Sequence, residues 1–257
     1  MEISINYMRP DGYPRGEAVK IGWLLADKLS SIVYLPPERL RSADVNRSHA
    51  KSASRCPAIL ALENRYVVVR CPFDLHLGFA RDKNGVPILK NLLGDKSPVR
   101  RSKLNKLLTV VSESEWRYPD RPIIQLSLPY LFIADEPVFI SQISPFLHYQ
   151  DKDPLPGTIF GGRFPIDIWP RPLMWAFEWH NTDKPIRLKR GQPLFYCQFE
   201  LDGPDRSFQI VEAEQTPELE NYISQISAAV NYVNQTFSLF KAAREVRPKT
   251  LLKPLKR

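Results

Sequence analysis

Residues 157–200, GTIFGGRFPIDIWPRPLMWAFEWHNTDKPIRLKRGQPLFYCQFE, combine strand alternation, turn chemistry and an internal carboxylate in one block. Leu173, Trp175, Phe177 and Trp179 occupy every second position there, the period of a half-buried strand. Met174, Ala176, Glu178 and His180 then share the opposite face. Beyond this strand, residues 181–185 form a polar turn and 186–188 return as a strand. Arg190, Gly191, Gln192 and Pro193 turn the chain again into 194–200. The block predicts three short strands joined as a meander.

The rest of the chain reads in the same style. It has 24 prolines against 11 glycines, and the prolines recur between short apolar runs. Proline removes a ladder donor and fixes φ, so this spacing cuts extended segments short. Candidate strands are residues 3–7, 31–35, 66–70, 75–80, 86–89, 123–128, 130–134 and 138–143. Asn84 and Gly85 accept positive φ and predict a hairpin between two of them. Residues 37–55 and 94–105 are polar, basic and aperiodic, and read as long loops; residues 103–111 fit a short helix or a strand equally. There is no internal repeat.

The C-terminal section changes character. Thr216, Pro217 and Glu218 make a helix start, with a hydroxyl cap and proline at the first helical position. Leu219, Ile223, Ile226, Val230, Val233, Phe237 and Phe240 follow at alternating steps of four and three, a heptad seam. One long helix is expected, its seam covered either by the chain's own β body or by a second copy in a homo-oligomer. Pro248 ends it. The expected organisation is a single β-rich domain over 1–212, a helix over 213–246 and a basic tail over 247–257.

With 257 residues, 43% of them apolar and 11% aromatic, the chain can bury a substantial core. The first residues, MEISINYMRPDGYPRG, lack the basic and apolar regions of a signal peptide, and no apolar run reaches membrane-spanning length. The expected location is cytoplasmic or virion-associated, with no membrane contact. Cys56, Cys71 and Cys197 read as buried thiols, too few and too scattered for a disulfide framework. The formal charge is +8. Five basic residues and no acid lie in residues 96–106, and seven basics against Glu245 follow from Lys241 onward. Each segment suits either an acidic or nucleic-acid surface or plain solvation. Stacking aromatics are not interleaved with them, which argues against a sequence-reading nucleic-acid module.

The order of elements in IDIWPRPLMWAFEWHNTDKPIRLKRGQPLFYCQFE, residues 166–200, is similar to the closing part of the dUTPase and dCTP deaminase superfamily. That resemblance implies a β-clip or distorted jelly-roll body, places the catalytic glutamate on Glu178, and puts the acidic residue after the preceding turn on Asp167. The superfamily's serine-rich phosphate-binding motif has no counterpart in residues 150–164, QDKDPLPGTIFGGRF. Gly22-Trp23, Cys56-Pro57, Pro129-Tyr130-Leu131-Phe132, the Trp175 to Trp179 strand and Gly191-Gln192-Pro193 also resemble an uncharacterised phage and bacterial domain family. That likeness implies a shared fold and carries no activity. The expected fold is mainly β, with a long C-terminal α-helix.

Glu178 is costly if buried alone, so it must be exposed, protonated or partnered. On one strand face, His180 lies about 7 Å from it at the backbone. The two can share a proton or a ligand, or simply form the polar face of an antiparallel sheet. Asp167 raises the same question, with Arg163 or Arg171 as an ordinary ion-pair partner. Arg163 after Gly161-Gly162 and Trp169 beside Pro170 are candidate ligand contacts. Asp74 and His76, with His148 or His180, are the weak candidates for a non-haem iron site; the reversed order and scattered histidines carry no ligand spacing, so no metal or other cofactor is expected. No nucleophile or phosphate motif stands out. The leading expectation is a phage-like binding or assembly protein, working as a homo-oligomer or with a phage or host protein partner. The alternatives are a hydrolase or deaminase of anionic small molecules using Glu178 and Asp167, and an oxygenase-like metalloprotein.

Overall fold

Residues 130–134, YLFIA, are apolar at every position, and a strand with two apolar faces must lie between two cores. The computed structural model describes residues 18–26, 29, 31–41, 56–63, 65–148, 154–202, 206–229 and 236–256, and it places this strand in that setting. The first elements in chain order are β1 (Val19–Leu25), β2 (Glu38–Arg39), α1 (Pro57–Glu63), β3 (Tyr66–Arg70), β4 (Leu75–Arg81) and β5 (Pro87–Asn91). Next come α2 (Arg101–Leu107), β6 (Leu108–Val110), β7 (Ile123–Ser127), β8 (Tyr130–Ala134), β9 (Val138–Ile143), β10 (Gly157–Ile159) and β11 (Gly162–Pro165). The chain continues through β12 (Met174–Trp179), β13 (Ile186–Leu188), β14 (Pro193–Leu201), β15 (Phe208–Glu212), α3 (Pro217–Ala229) and α4 (Thr236–Glu245). The fold is mainly β with helices at the C-terminal side.

The strands form four sheets, ordered β15-β1-β8, β10-β12-β7-β6, β11-β9-β14-β3-β2 and β13-β4-β5. All four contribute to one core, with Ile21, Phe132, Trp175, Phe177, Trp179, Phe195 and Phe199 among its members. The alternation of residues 173–179 is therefore used as the sequence indicates, with Trp175, Phe177 and Trp179 wholly buried. The other face of β8 and β1, through Leu131, Ile133 and Leu24, packs on Leu219, Tyr222 and Ile226 of α3. A third cluster gathers Tyr66, Val68 and Tyr196 on the far side of β3 and β14, against Leu40 and Leu147. The Asn84-Gly85 hairpin joins β4 to β5, with Gly85 at φ 81°.

The meander does not form. β12 pairs with β7 and β10, β13 with β4, and β14 with β9 and β3, so the three consecutive strands enter three different sheets. The connecting turns explain the separation. The indole Nε1 of Trp179 donates to Asn181 O (2.8 Å) and Lys184 O (3.0 Å), which closes the first turn on itself. The second turn bonds to residues near β3: Cys71 N donates to Gln192 O (2.8 Å) and Arg190 N to the Asp74 carboxylate (2.7 Å).

Other expectations also change. Residues 31–35 form no strand; Leu35 O instead accepts the Tyr130 hydroxyl at 2.6 Å. Residues 94–105 are not a plain loop, since a single turn of 3-10 helix leads into α2, and 103–111 is helix and then strand. Cys71 and Cys197 are buried, but Cys56 is exposed. The candidate strand at 3–7 and residues 42–55 of the first long loop lie outside the described residues.

The single long helix is replaced by α3 and α4, which fold back on each other. The Tyr222 hydroxyl lies 2.7 Å from Ile168 O and 3.1 Å from Ala243 O, and a continuous helix would hold Tyr222 and Ala243 about 30 Å apart along its axis. Thr216 does cap α3, its Oγ1 accepting from Leu219 N at 3.2 Å. Of the heptad positions, Leu219 and Ile226 are buried in the core between α3 and β8, with Ile223 and Phe240 packed against it. Val230, Val233 and the Phe237 side chain lie outside the described residues. The described part of the seam is thus covered by the chain itself.

Candidate functional site

The polar face of β12 is held by its neighbours. Thr158 of β10 stands opposite Glu178, and Ile123 of β7 lies on its other side. Glu178 Oε2 is 2.8 Å from His180 Nε2, and Thr158 Oγ1 is 2.8 Å from the same nitrogen. The carboxylate side chain is 13% exposed and the imidazole 39%. The acid and imidazole therefore meet, at a rim open to solvent. Both partners use Nε2, so a hydroxyl–imidazole–carboxylate relay, which needs one partner on each ring nitrogen, is not assembled. What remains is an oriented imidazole whose Nδ1 has no protein partner among the described residues.

Asp167 belongs to a different neighbourhood. It is 9% exposed, in the turn after β11. Burial pushes its carboxyl above the ordinary range, and the backbone amides of Asp167 and Val138 together with Arg247 and Arg244 only partly oppose that. Its carbonyl accepts from Arg247 Nε at 2.6 Å. Glu178 and Asp167 thus have separate sets of partners, one on the β10–β12 rim and the other under the C-terminal arm. Trp169 is likewise a packing residue, 5% exposed, with its ring 6.0 Å from that of Phe240.

Arg163 lies on an exposed sheet face and is committed to Glu200 of β14. Its Nε is 3.0 and 3.1 Å from the two carboxylate oxygens, and its Nη2 is 2.7 Å from Oε2. The guanidinium also covers the Phe139 ring at 3.8 Å, and Ser141 Oγ donates to the same carboxylate at 3.0 Å. This grip holds the Glu200 carboxyl below its ordinary value.

The candidate iron ligands are dispersed. Asp74 accepts from Arg190 N, His76 Nε2 accepts from Arg187 Nε at 3.1 Å, and His148 Nδ1 bonds to the Tyr196 hydroxyl. Among the described residues no three His, Cys, Asp or Glu side chains gather to hold a metal ion. His76 is kept below its ordinary pKa by burial and by the Arg187 charge. Burial pushes the Cys71 thiol up to about 12 and Cys197 higher still, so neither is a nucleophile at neutral pH.

The two basic segments meet different fates. The C-terminal one docks. Leu251 and Leu252 are buried, and their N–H groups donate to Asp135 Oδ1 at 2.6 and 3.2 Å. Arg247 donates to the carbonyls of Ala134, Asp135, Asp167, Pro248 and Lys249. A single antiparallel bridge pairs Ala213 with Pro254. The chain passes so close to β1 that a Cβ on Gly22 would lie 2.3 Å from Leu252 Cδ1, which is why glycine stands in the middle of that strand.

The other segment lines a cleft of about 1220 Å³ between β5, β6 and α2, which was not anticipated from sequence. β5 is the last strand of one sheet and β6 the last of another. Asp82 N donates to Val86 O (2.9 Å) and Leu92 N to His76 O (2.8 Å). These bonds fix the β4–β5 ladder so that Leu89 and Asn91 turn their backbone groups away from β4. Val111 N donates to Ile123 O (2.9 Å), which by the same alternation turns the Val110 groups away from β7. Both unpaired edges therefore open on the one cleft. Lys90, Arg100 and Arg101 stand around it against Asp95 as the single acid among the described residues, over an apolar floor that includes Leu89, Leu104 and Leu108. Arg100 and Arg101 are exposed and have no side-chain partner among the described residues. Among the described residues the lining contains no aromatic residue.

In comparisons with known proteins, no family model, no curated protein and no solved structure matches the chain. Among the described residues no helix is long and apolar enough to cross a membrane.

Proposed function

We propose that this protein is a binding component rather than an enzyme, and that it takes an anionic partner in the cleft between β5, β6 and α2. The observation that carries the reading is the meeting of two open strand edges with three cations and one acid around the same cavity. The distribution of the candidate catalytic groups supports it too. Asp167 lies buried under the C-terminal arm, Arg163 is paired with Glu200, and the Thr158–His180–Glu178 group lacks relay geometry.

A second reading, a hydrolase or deaminase of anionic small molecules, draws on one specific feature. Glu178 orients the His180 ring and leaves Nδ1 as a base at the sheet rim. Thermal melting against polyglutamate, a single-stranded oligonucleotide and a nucleotide panel separates the two. The binding reading expects a polyanion to raise the melting temperature of the parent protein, and not of the Arg100→Glu/Arg101→Glu variant. Stabilisation by a nucleotide that vanishes in Glu178→Gln and survives the arginine changes would overturn it in favour of the enzyme.

A further inference from the structure

The cleft has a chemistry more particular than positive charge. Its walls are backbone edges. Among the described residues no strand stands opposite the N–H and C=O groups of Leu89 and Asn91 on β5 and of Val110 on β6, and an unpaired edge is a template for another extended chain. At about 1220 Å³ the space exceeds the roughly 300–1,000 Å³ usual for small-molecule pockets. Between the edges lies apolar surface, with the Arg100 and Arg101 guanidinium groups at its rim.

Resting on the cleft-binding reading above, we propose that the occupant is an acidic polypeptide segment that binds in extended form as an added strand on the β5 edge. Its main chain completes the ladder that β5 leaves open, alternate apolar side chains meet Leu89 and Leu104, and intervening Asp or Glu residues meet Arg100, Arg101 and Lys90. A nucleic acid fits the charge but not the rest. It has no use for two strand edges, and the lining offers no ring on which a base could stack.

Fluorescence anisotropy on the intact protein tests this, with a labelled peptide of about eight residues alternating Glu with Val and Thr, matched to the strand lengths involved. Three further probes accompany it: the same peptide with Lys for Glu, the same peptide N-methylated at alternate residues, and an oligonucleotide of equal charge. The acidic peptide is expected to bind, and to lose at least about tenfold in affinity on Arg100→Glu/Arg101→Glu and again on N-methylation. Leu89→Pro deletes one outward N–H without touching a β4 bond and should weaken binding as well. The N-methylated probe keeps the test decisive if that variant misfolds. Equal binding of the N-methylated peptide, with the arginine dependence intact, overturns strand addition and leaves the cleft as an anion site. Arginine-independent binding overturns both, and so does tighter binding of the lysine peptide. Arginine-dependent binding of the oligonucleotide but not the peptide overturns the choice of partner.

Discussion

Two stretches of this chain look alike as sequence: residues 96–106 and the run from Lys241 to the end are both basic, nearly free of acid and punctuated by isolated apolar residues. In the folded protein they do opposite work. The C-terminal run turns Leu251 and Leu252 inward, ties its backbone to the Asp135 carboxylate and spends Arg247 on five carbonyl groups. The earlier segment buries Val99 and Leu104 and leaves Arg100 and Arg101 on the rim of a cleft. The difference is whether a cation's hydrogen-bonding capacity is used inside the fold. Arg247 is a structural residue because its planar donors meet fixed carbonyls, whereas Arg100 and Arg101 have no side-chain partner among the described residues.

Deleting residues 251–257 should have the largest effect on stability. Burial of the two leucines contributes about 1.5–3 kcal/mol each, and the amide bonds to Asp135 add to it. A loss of at least about 3 kcal/mol is expected, out of the roughly 5–15 kcal/mol of a typical domain. Urea denaturation reads this directly, and a midpoint equal to that of the parent would show that the arm is not part of the folded unit. Arg247→Lys comes next. One ammonium group cannot reach carbonyls on β8, on the Asp167 turn and on the residues that follow it at once, so about 2–3 kcal/mol should be lost. If lysine substitutes without cost, charge rather than the fork of donors holds the arm.

Much of this fold could be read from local pattern. The strands at 66–70, 130–134 and 138–143 appear where short apolar runs and recurring prolines put them, and Thr216-Pro217 starts a helix as capping chemistry requires. Alternation reports which face of a strand is buried and not which strand lies beside it. For that reason β12, β13 and β14 were legible as strands while their dispersal into three sheets was not. β1 pairs in parallel with β15, Val19 beside Phe208, and no local signal joins residues so distant. The Glu178–His180 contact was legible because His180 follows directly on the strand that carries Glu178, at two-residue spacing. The cleft was not, because its two edges come from different sheets, and neither was the docked arm, whose anchors at Asp135 and Gly22 lie far away in sequence.

Asp167 sharpens the contrast through pH. Burial raises its carboxyl pKa in the folded protein despite Arg247 and Arg244, so the native state binds that proton more tightly than the unfolded chain does. Between the ordinary and the raised value the folded state holds more protons, and this group's contribution to stability therefore falls as pH rises through that window and is flat above it. Asp167→Asn keeps an oxygen to accept from the Val138 amide and removes the buried charge. It should stabilise the protein modestly near neutrality, with the gain shrinking as pH falls toward about 4, where aspartate ordinarily titrates. Unfolding midpoints at the two pH values check this. A destabilised variant at neutral pH would mean that attraction to the arm's arginines outweighs the cost of burial.

The smallest effect on stability is expected where the effect on binding is largest. Arg100→Glu with Arg101→Glu changes the formal charge by −4, since each substitution replaces one positive charge with a negative one. Both side chains are exposed and have no described partner, and Arg100, although it is the N-cap of α2, makes no side-chain cap bond that a substitution would remove, so the change should stay within about 0.5 kcal/mol. Leu104 N donates to Arg100 O in the first turn of α2, and acidic residues at a helix N-terminus are favourable, so the reversal should if anything support that turn. An unchanged unfolding midpoint together with lost polyanion binding would separate the two basic segments by function, one holding the fold and the other serving a partner. A midpoint lowered as far as that of Arg247→Lys would show instead that Arg100 and Arg101 are also spent within the protein, and the cleft would lose the cations on which its binding role rests.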